Sequence, residues 1–258
     1  MSLISRVPLD KLDLMKHNGA ILNYALTKTR QFIEESVTSG YNATYLEADT
    51  LAQCLIEKEG ATPACLGYKG YQHTLCISVN DVLVHGVPSD TQFENGDIVS
   101  LDCAIHKDGY FVDKCICFQI GDPDEKKYRL VQAAICALNA SIELARPGRT
   151  IGDIGYETEK VARSFGFEVC KDFVGHGIGT EFHMLPVVPN FGVPGRGEII
   201  KEGMCLAIEP MVLQWAADTY VTDDGWTAKS LDGGLTAHCE DTVFVTKDGP
   251  IIVTREEK

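Results

Sequence analysis

At the head of the chain the apolar positions repeat with a helical period. Leu12, Met15, Ile21, Leu22, Ala25 and Leu26 share a stripe that ends before Gly40, with Asp10 placed to cap its start. A second helix is expected over about 44–58, with Leu46, Leu51, Leu55 and Ile56 on its apolar side. The run GATPACLGYKGYQHTL that follows keeps neither period, yet its side chains are too large and apolar for a mere linker. Short apolar runs then take over. Positions 76–80 and 82–84 read as a strand hairpin, followed by His85-Gly86-Val87-Pro88, and β-formers dominate 96–118. After Gly121-Asp122-Pro123 a long helix is expected over about 124–145, stopped at Arg146-Pro147-Gly148. Another covers about 151–165 and ends at Gly166, and strands alternate with Gly/Pro loops from there on. With no low-complexity linker and no charge block, a single domain over 1–258 is expected. The order helix, helix, strands bearing acids or His occurs twice, a weak echo between two halves.

Two acids break the apolar pattern of 96–118. Asp102 follows Ile98-Val99-Ser100-Leu101, and Asp113 follows Tyr110-Phe111-Val112. Between them HKDG is a strong hairpin-turn sequence. A two-residue loop at Lys107-Asp108 would set the acids directly opposite each other. A loop at Asp108-Gly109 would make them diagonal neighbours on one face. Asp is depleted in strands and like charges repel, so a divalent cation would offset the cost; a solvent-facing pair on an exposed sheet face is the bland alternative.

Length and composition bound the rest. A chain of 258 residues supports a full core, and 45% hydrophobic with 23% charged residues is ordinary for a globular protein. A net charge of −14 argues against general nucleic-acid binding, since no phosphate backbone would be attracted. The N-terminal MSLISRVPLDK has no apolar h-region, and no uncharged run approaches a membrane span. Ten scattered cysteines without a C-x-x-C read as reduced thiols, so a cytoplasmic address is expected.

Three later stretches add chemistry. In DFVGHGIGTEFH, His176 lies among Gly175, Gly177 and Gly179, so something can approach it closely; a plain glycine loop is the other reading. His183, seven residues on, matches neither a zincin nor a zinc-finger pair. In MCLAIEPM, Glu209 ends an apolar strand, where a carboxylate is poorly explained unless paired or metal-bound. In TAHCEDTVFV, Glu240 opens another apolar strand beside Asp241, and only one of the two can face the core side; either could be an edge charge instead. Four acids and one glycine-framed His make the bland readings weak in combination. Asp102, Asp113, His176, Glu209 and Glu240 suit two divalent ions about 3.5–4 Å apart, with carboxylates bridging them. Mixed O/N ligation allows Mn, Fe, Co or Zn, and an ion pair that acidifies water points to hydrolysis. Neither G-x-S-x-G nor a Walker A loop is present.

The order D…D…H…E…E, carried in SLDCAIHKDGYFVD, GHGIG, IEPM and TAHCEDT, resembles type I methionine aminopeptidase. ACLGYKGY, CISVNDVLVHG, RPGRTIGDIG and WTAKSLDGGLTAHCEDTVFVTKDG extend the resemblance over nearly the whole chain. It implies an α/β (α+β) pita-bread fold, with two pseudo-symmetric halves of antiparallel strands around a dinuclear metal site. It implies removal of the initiator methionine from nascent polypeptides, possible only for a free amine and favoured by a small second residue. By resemblance Asp102 chelates one metal, Asp113 and Glu240 bridge, and His176 and Glu209 hold the other, with Glu209 also shuttling the proton. His85 and His183 match the histidines that contact substrate and stabilise the tetrahedral intermediate. Cys65, Tyr68, Tyr71, Cys76, Phe182 and Trp226 match the methionine pocket. Transient ribosome contact and a monomer are the partner expectations.

The chain departs from the family at Val112, at Asp113-Lys114-Cys115-Ile116-Cys117, at Gln72-His73 and at Met184-Leu185 after His183. Without a zinc-binding N-terminal extension it resembles the minimal bacterial form, and the short interval from His176 to Glu209 leaves no room for the type II insertion. Two alternatives stay in view: an X-Pro aminopeptidase or dipeptidase, which shares the five ligands but usually carries an extra N-terminal domain, and a non-enzymatic binding protein, which has usually lost ligands.

Overall fold

The computed structural model describes residues 4–122 and 124–255. Pro123 of the turn expected before the third helix, and the first three residues of the N-terminal stretch, lie outside them. Helix α1 (Leu12–Ser39) buries Met15, Leu22, Ala25, Leu26 and Ile33 along one stripe and ends at Gly40, whose φ of 77° suits a residue without Cβ. Asp10 does not cap it. It sits inside a 3₁₀ turn, Leu9–Lys11, and Lys11 takes the N-cap without a side-chain hydrogen bond. Helix α2 (Tyr45–Lys58) starts from a capping box, with the Thr44 hydroxyl accepting from Glu47 N–H and the Glu47 carboxylate accepting from Thr44 N–H. Ala48, Asp49, Ala52 and Ile56 face inward, whereas Leu46, Leu51 and Leu55 are only half-buried.

Strands β1 (Thr62–Pro63), β2 (Cys76–Val79), β3 (Val82–Val84), β4 (Ile98–Lys107) and β5 (Tyr110–Gln119) complete the first half. The second half opens with α3 (Glu125–Ile142), capped by Asp124, and α4 (Ile151–Ser164), capped by Thr150. It continues with β6 (Glu168–Val169), β7 (Val174–Gly177), β8 (Met184–Pro189), β9 (Cys205–Ile208) and β10 (Met211–Leu213). It closes with β11 (Thr219–Val221), β12 (Ala228–Ser230), β13 (Thr236–His238), β14 (Glu240–Thr246) and β15 (Gly249–Ile252).

The fold is pita-bread: a large antiparallel sheet in the order β1-β4-β5-β14-β9-β7-β8, with β2 on β4 and β15 on β14. Two small sheets, β13-β10-β6 and β11-β12-β3, stand beside it. Strand β14 joins the halves, pairing Glu240 and Asp241 with β5 and Asp241 to Phe244 with β9. One apolar core lies under α1 and α2, a second under α3 and α4. Strands β2 and β3 do not form the expected hairpin ladder. The chain does reverse near Asn80, at φ 56°, but β2 finds its backbone partners on β4 and β3 on β12. Among the described residues no helix is long and apolar enough to cross a membrane.

Candidate metal centre

The β4–β5 hairpin turns at Asp108-Gly109. Both residues have positive φ, 49° and 85°, as a two-residue turn matched to strand twist requires. Lys107 therefore pairs with Tyr110, Asp102 with Cys115 and Ala104 with Asp113, which makes the two acids diagonal neighbours on one face. Asn18 of α1 donates to the carbonyl of Lys107 at the loop end (3.0 Å) and pins that register. Thr242 of β14 holds Asp113 by its main chain, accepting from Asp113 N–H and donating to Asp113 C=O, both at 2.8 Å.

His176 comes from β7, inserted between β8 and β9. The flanking glycines serve that insertion. A Cβ on Gly175 would stand 2.4 Å from the Ala207 carbonyl oxygen, and one on Gly177 would stand 2.3 Å from that of Leu185. What approaches His176 closely is thus the backbone of neighbouring strands. Its Nδ1 lies 2.9 Å from the Gly177 carbonyl, which only accepts, so Nδ1 donates there and Nε2 is the nitrogen left for the cavity. That Nε2 faces Asp113 Oδ2 and Glu209 Oε1, each at 3.7 Å. Glu209 leaves the end of β9, and Glu240 opens β14.

Asp113, His176 and Glu240 each bring a donor atom to within 4.8 Å of the others, and so do Glu209, His238 and Glu240. Asp102 lines the same cavity but belongs to neither triple. Burial, and then the Asp113 charge, holds the carboxyls of Asp102, Glu209 and Glu240 above the usual range. Asp113 Oδ1, Glu240 Oε1 and His238 Nε2 are buried without hydrogen-bond partners. Buried polar atoms without partners are costly, and a divalent cation would satisfy all three. The oxygen-rich donor set with imidazole suits such a cation.

The cavity measures about 370 Å³ and all thirteen residues singled out in the sequence line it. Cys65, Tyr71, Cys76 and Ala104 form one apolar cluster with Phe182 and Trp226 packed against it. Tyr71 hydroxyl donates to the Leu75 carbonyl (2.8 Å), and its ring meets Trp226 edge-on with centroids 5.0 Å apart. Tyr68 meets Phe182 edge-on at 5.1 Å and stacks on His183 at 5.2 Å. His183 lies 4.2 Å from His176, ring to ring, and burial above all lowers its pKa to about 4. His85 adopts φ 58°, rare for a residue with a Cβ, and its ring meets Phe173 edge-on at 5.5 Å. Burial lowers its pKa as well.

Two of the family departures sit away from this cavity. Lys114 turns to the opposite face of β5 and pairs with Asp241 at 2.6 Å. His73 lies 3.3 Å from Asp49 of α2, whose other oxygen accepts from the N–H groups of Thr74 and Leu75. One member of the two donor triples escaped the sequence reading. His238 is buried in the cavity wall, and burial lowers its pKa to about 3. Its place two residues before Glu240 was the available clue, since positions two apart share a side in extended chain.

Residues 13–247 match the metallopeptidase family M24. The methionine aminopeptidase of Clostridium perfringens is 40% identical over 245 residues, 95% of this chain and 96% of that one. The crystal structure of methionine aminopeptidase from Thermotoga maritima superposes with a TM-score of 0.93 at 35% identity, covering 98% of this chain and all of the other. A prolidase from Pyrococcus furiosus, at 22% identity and a TM-score of 0.76 over 98% of this chain and 66% of its own, shares the fold. Both the sequence match and the superposition run through the strands that carry the carboxylates and His176, and the chain belongs to metallopeptidase family M24, among its methionine aminopeptidases.

Proposed function

We propose that this metal-dependent aminopeptidase removes the N-terminal methionine from nascent polypeptides with a small second residue. The observation that carries the reading is the joining, in one cavity, of the apolar slot around Cys65, Tyr71, Cys76, Phe182 and Trp226 with the carboxylate–imidazole cluster. A thioether suits that slot, because sulfur against aromatic rings gains roughly 0.3–1.5 kcal/mol. Charged first residues are rejected by desolvation and β-branched ones by shape.

In this reading Asp102 would hold one divalent ion and His176 and Glu209 a second, with Asp113 and Glu240 serving both. Fe, Mn, Co and Zn all suit the donors. When bound, the pair supplies Lewis acidity that activates water and polarises the first peptide carbonyl. The carboxylates of the cluster hold the substrate's free amine. Glu209 takes the proton of the attacking water and passes it to the leaving nitrogen. His183, neutral near pH 7, donates its N–H to the oxygen where negative charge develops, and His85 orients the substrate. In this reading the enzyme works in the cytoplasm on chains leaving the ribosome, and a monomer is expected.

The test compares release from Met-Ala-Ser and Ala-Pro-Ala at equal concentration with Mn or Co supplied. Cleavage of Met-Ala-Ser, weak cleavage of Met-Leu or Met-Lys peptides and none of acetylated Met-Ala-Ser are expected. Faster release of Ala from Ala-Pro-Ala would replace the reading with an X-Pro enzyme, and release from neither, with metal bound, with a binding protein.

A further inference from the structure

We propose that His238 is itself a metal ligand, its Nε2 joining Glu209 and Glu240 around one of the ions assigned above and giving the centre a second imidazole. The proposal rests on the metal-centre reading and extends it. His238 is 2% exposed and its Nε2 has no hydrogen-bond partner. That atom stands 3.7 Å from Glu209 Oε2 and 4.0 Å from Glu240 Oε2.

The arrangement mirrors the one at His176, whose Nε2 stands 3.7 Å from Glu209 Oε1 and 3.7 Å from Asp113 Oδ2. Glu209 thus lies between two imidazoles, one facing each carboxylate oxygen. Such separations are too long for hydrogen bonds. They suit donors that share a cation, since two atoms each about 2.0–2.2 Å from one ion stand roughly 3–4 Å apart. A histidine that merely filled the core would bond its buried ring nitrogen to a carbonyl or hydroxyl.

The main chain fixes this placement from behind. His238 N–H donates to Ser100 Oγ at 3.2 Å, and its carbonyl accepts from Cys115 Sγ at 3.2 Å. His238 is therefore anchored to β4 and β5, the strands that carry Asp102 and Asp113. A second nitrogen donor moves the donor set away from the oxygen-only character that favours Mg or Mn and towards Co, Fe or Zn.

Titration with Co(II) tests the assignment, read by calorimetry and by the visible d–d spectrum, in wild type, His238→Gln and His238→Ala. Two uptake steps are expected for the wild type. In both variants one step weakens at least tenfold and the spectrum changes, while the other step is kept. His238→Gln, close to His in volume, keeps the test open if His238→Ala fails to fold. Wild-type affinity and spectrum in a folded variant would overturn the proposal. Weakened binding with an unchanged spectrum would also overturn it, leaving His238 as a group that only positions Glu209. Failure of the wild type to take up Co(II) would remove the metal-centre reading, and the ligand assignment with it.

Discussion

Lys114 and Asp241 meet across the β5–β14 ladder as a buried ion pair, Nζ to Oδ1 at 2.6 Å, on the face of the sheet opposite the metal donors. Asp241 is thereby the partner of Lys114, Arg255 and Thr254, while Glu240 beside it faces the cavity. Removing the acid strands a lysine that cannot reach water, whereas Arg255 is exposed enough to turn outward. Asp241→Ala is expected to cost about 3–5 kcal/mol, the range for breaking a buried pair from one side. Urea unfolding of metal-free protein measures it; a loss under about 1 kcal/mol would mean that the pair is solvated in solution.

Asp113→Ala, His176→Ala and Glu240→Ala each delete a proposed ligand. Metal affinity should fall by more than the roughly 10–100-fold that loss of a supporting partner costs. Metal content after equilibrium dialysis checks this, and two tightly held ions in His176→Ala would end the ligand scheme.

His183→Ala separates binding from chemistry. Metal content should stay at the wild-type level while kcat drops roughly 10²–10³-fold, as when one oxyanion donor is removed. Tyr68 and Phe182 lean on the His183 ring, so a modest rise in KM is expected too. A metal-free variant would move His183 among the ligands.

Asp224 supports the pocket wall from outside. Its carboxylate accepts from the hydroxyls of Thr222 and Thr227 and from the N–H groups of Trp226 and Thr227. Burial works to raise its pKa, but the Thr227 hydroxyl and the other donors prevail and bring it down to about 2. The unfolded chain then binds the proton more readily, so the stabilisation is full above about pH 4 and fades as pH falls towards 2. Asp224→Asn should be less stable than wild type at pH 6, with the gap closing by pH 2.5. It should also raise KM for Met-Ala-Ser more than it lowers kcat. A gap independent of pH would show that the carboxylate charge is not what holds the turn.

How much of this was legible depended on distance along the chain. The start of α2 at Thr44 and the turn at HKDG are local and can be read directly, whereas the cap expected at Asp10 falls at Lys11. The HKDG sequence left two registers open; the positive φ at Asp108 and Gly109 selects the diagonal one. The motifs named thirteen of the cavity residues, but nothing local places β14 between β5 and β9, because its partners on β5 lie more than a hundred residues away and those on β9 more than thirty. Long separation also hid the partners of Lys114, and the glycines around His176 make room for the backbone of strands whose pairing no local pattern gives. His238 has no local signature of its own beside Glu240.

Strand β14 also makes the cluster a report on the state of the whole chain. Its acids and imidazoles come from β4, β5, β7, the end of β9 and the β13–β14 junction, so they converge only when both halves are folded and docked. A cation that binds there recognises the native chain and not the unfolded one. By mass action its free concentration then sets the fold's stability, adding about 2.7 kcal/mol when it stands at roughly a hundred times its Kd.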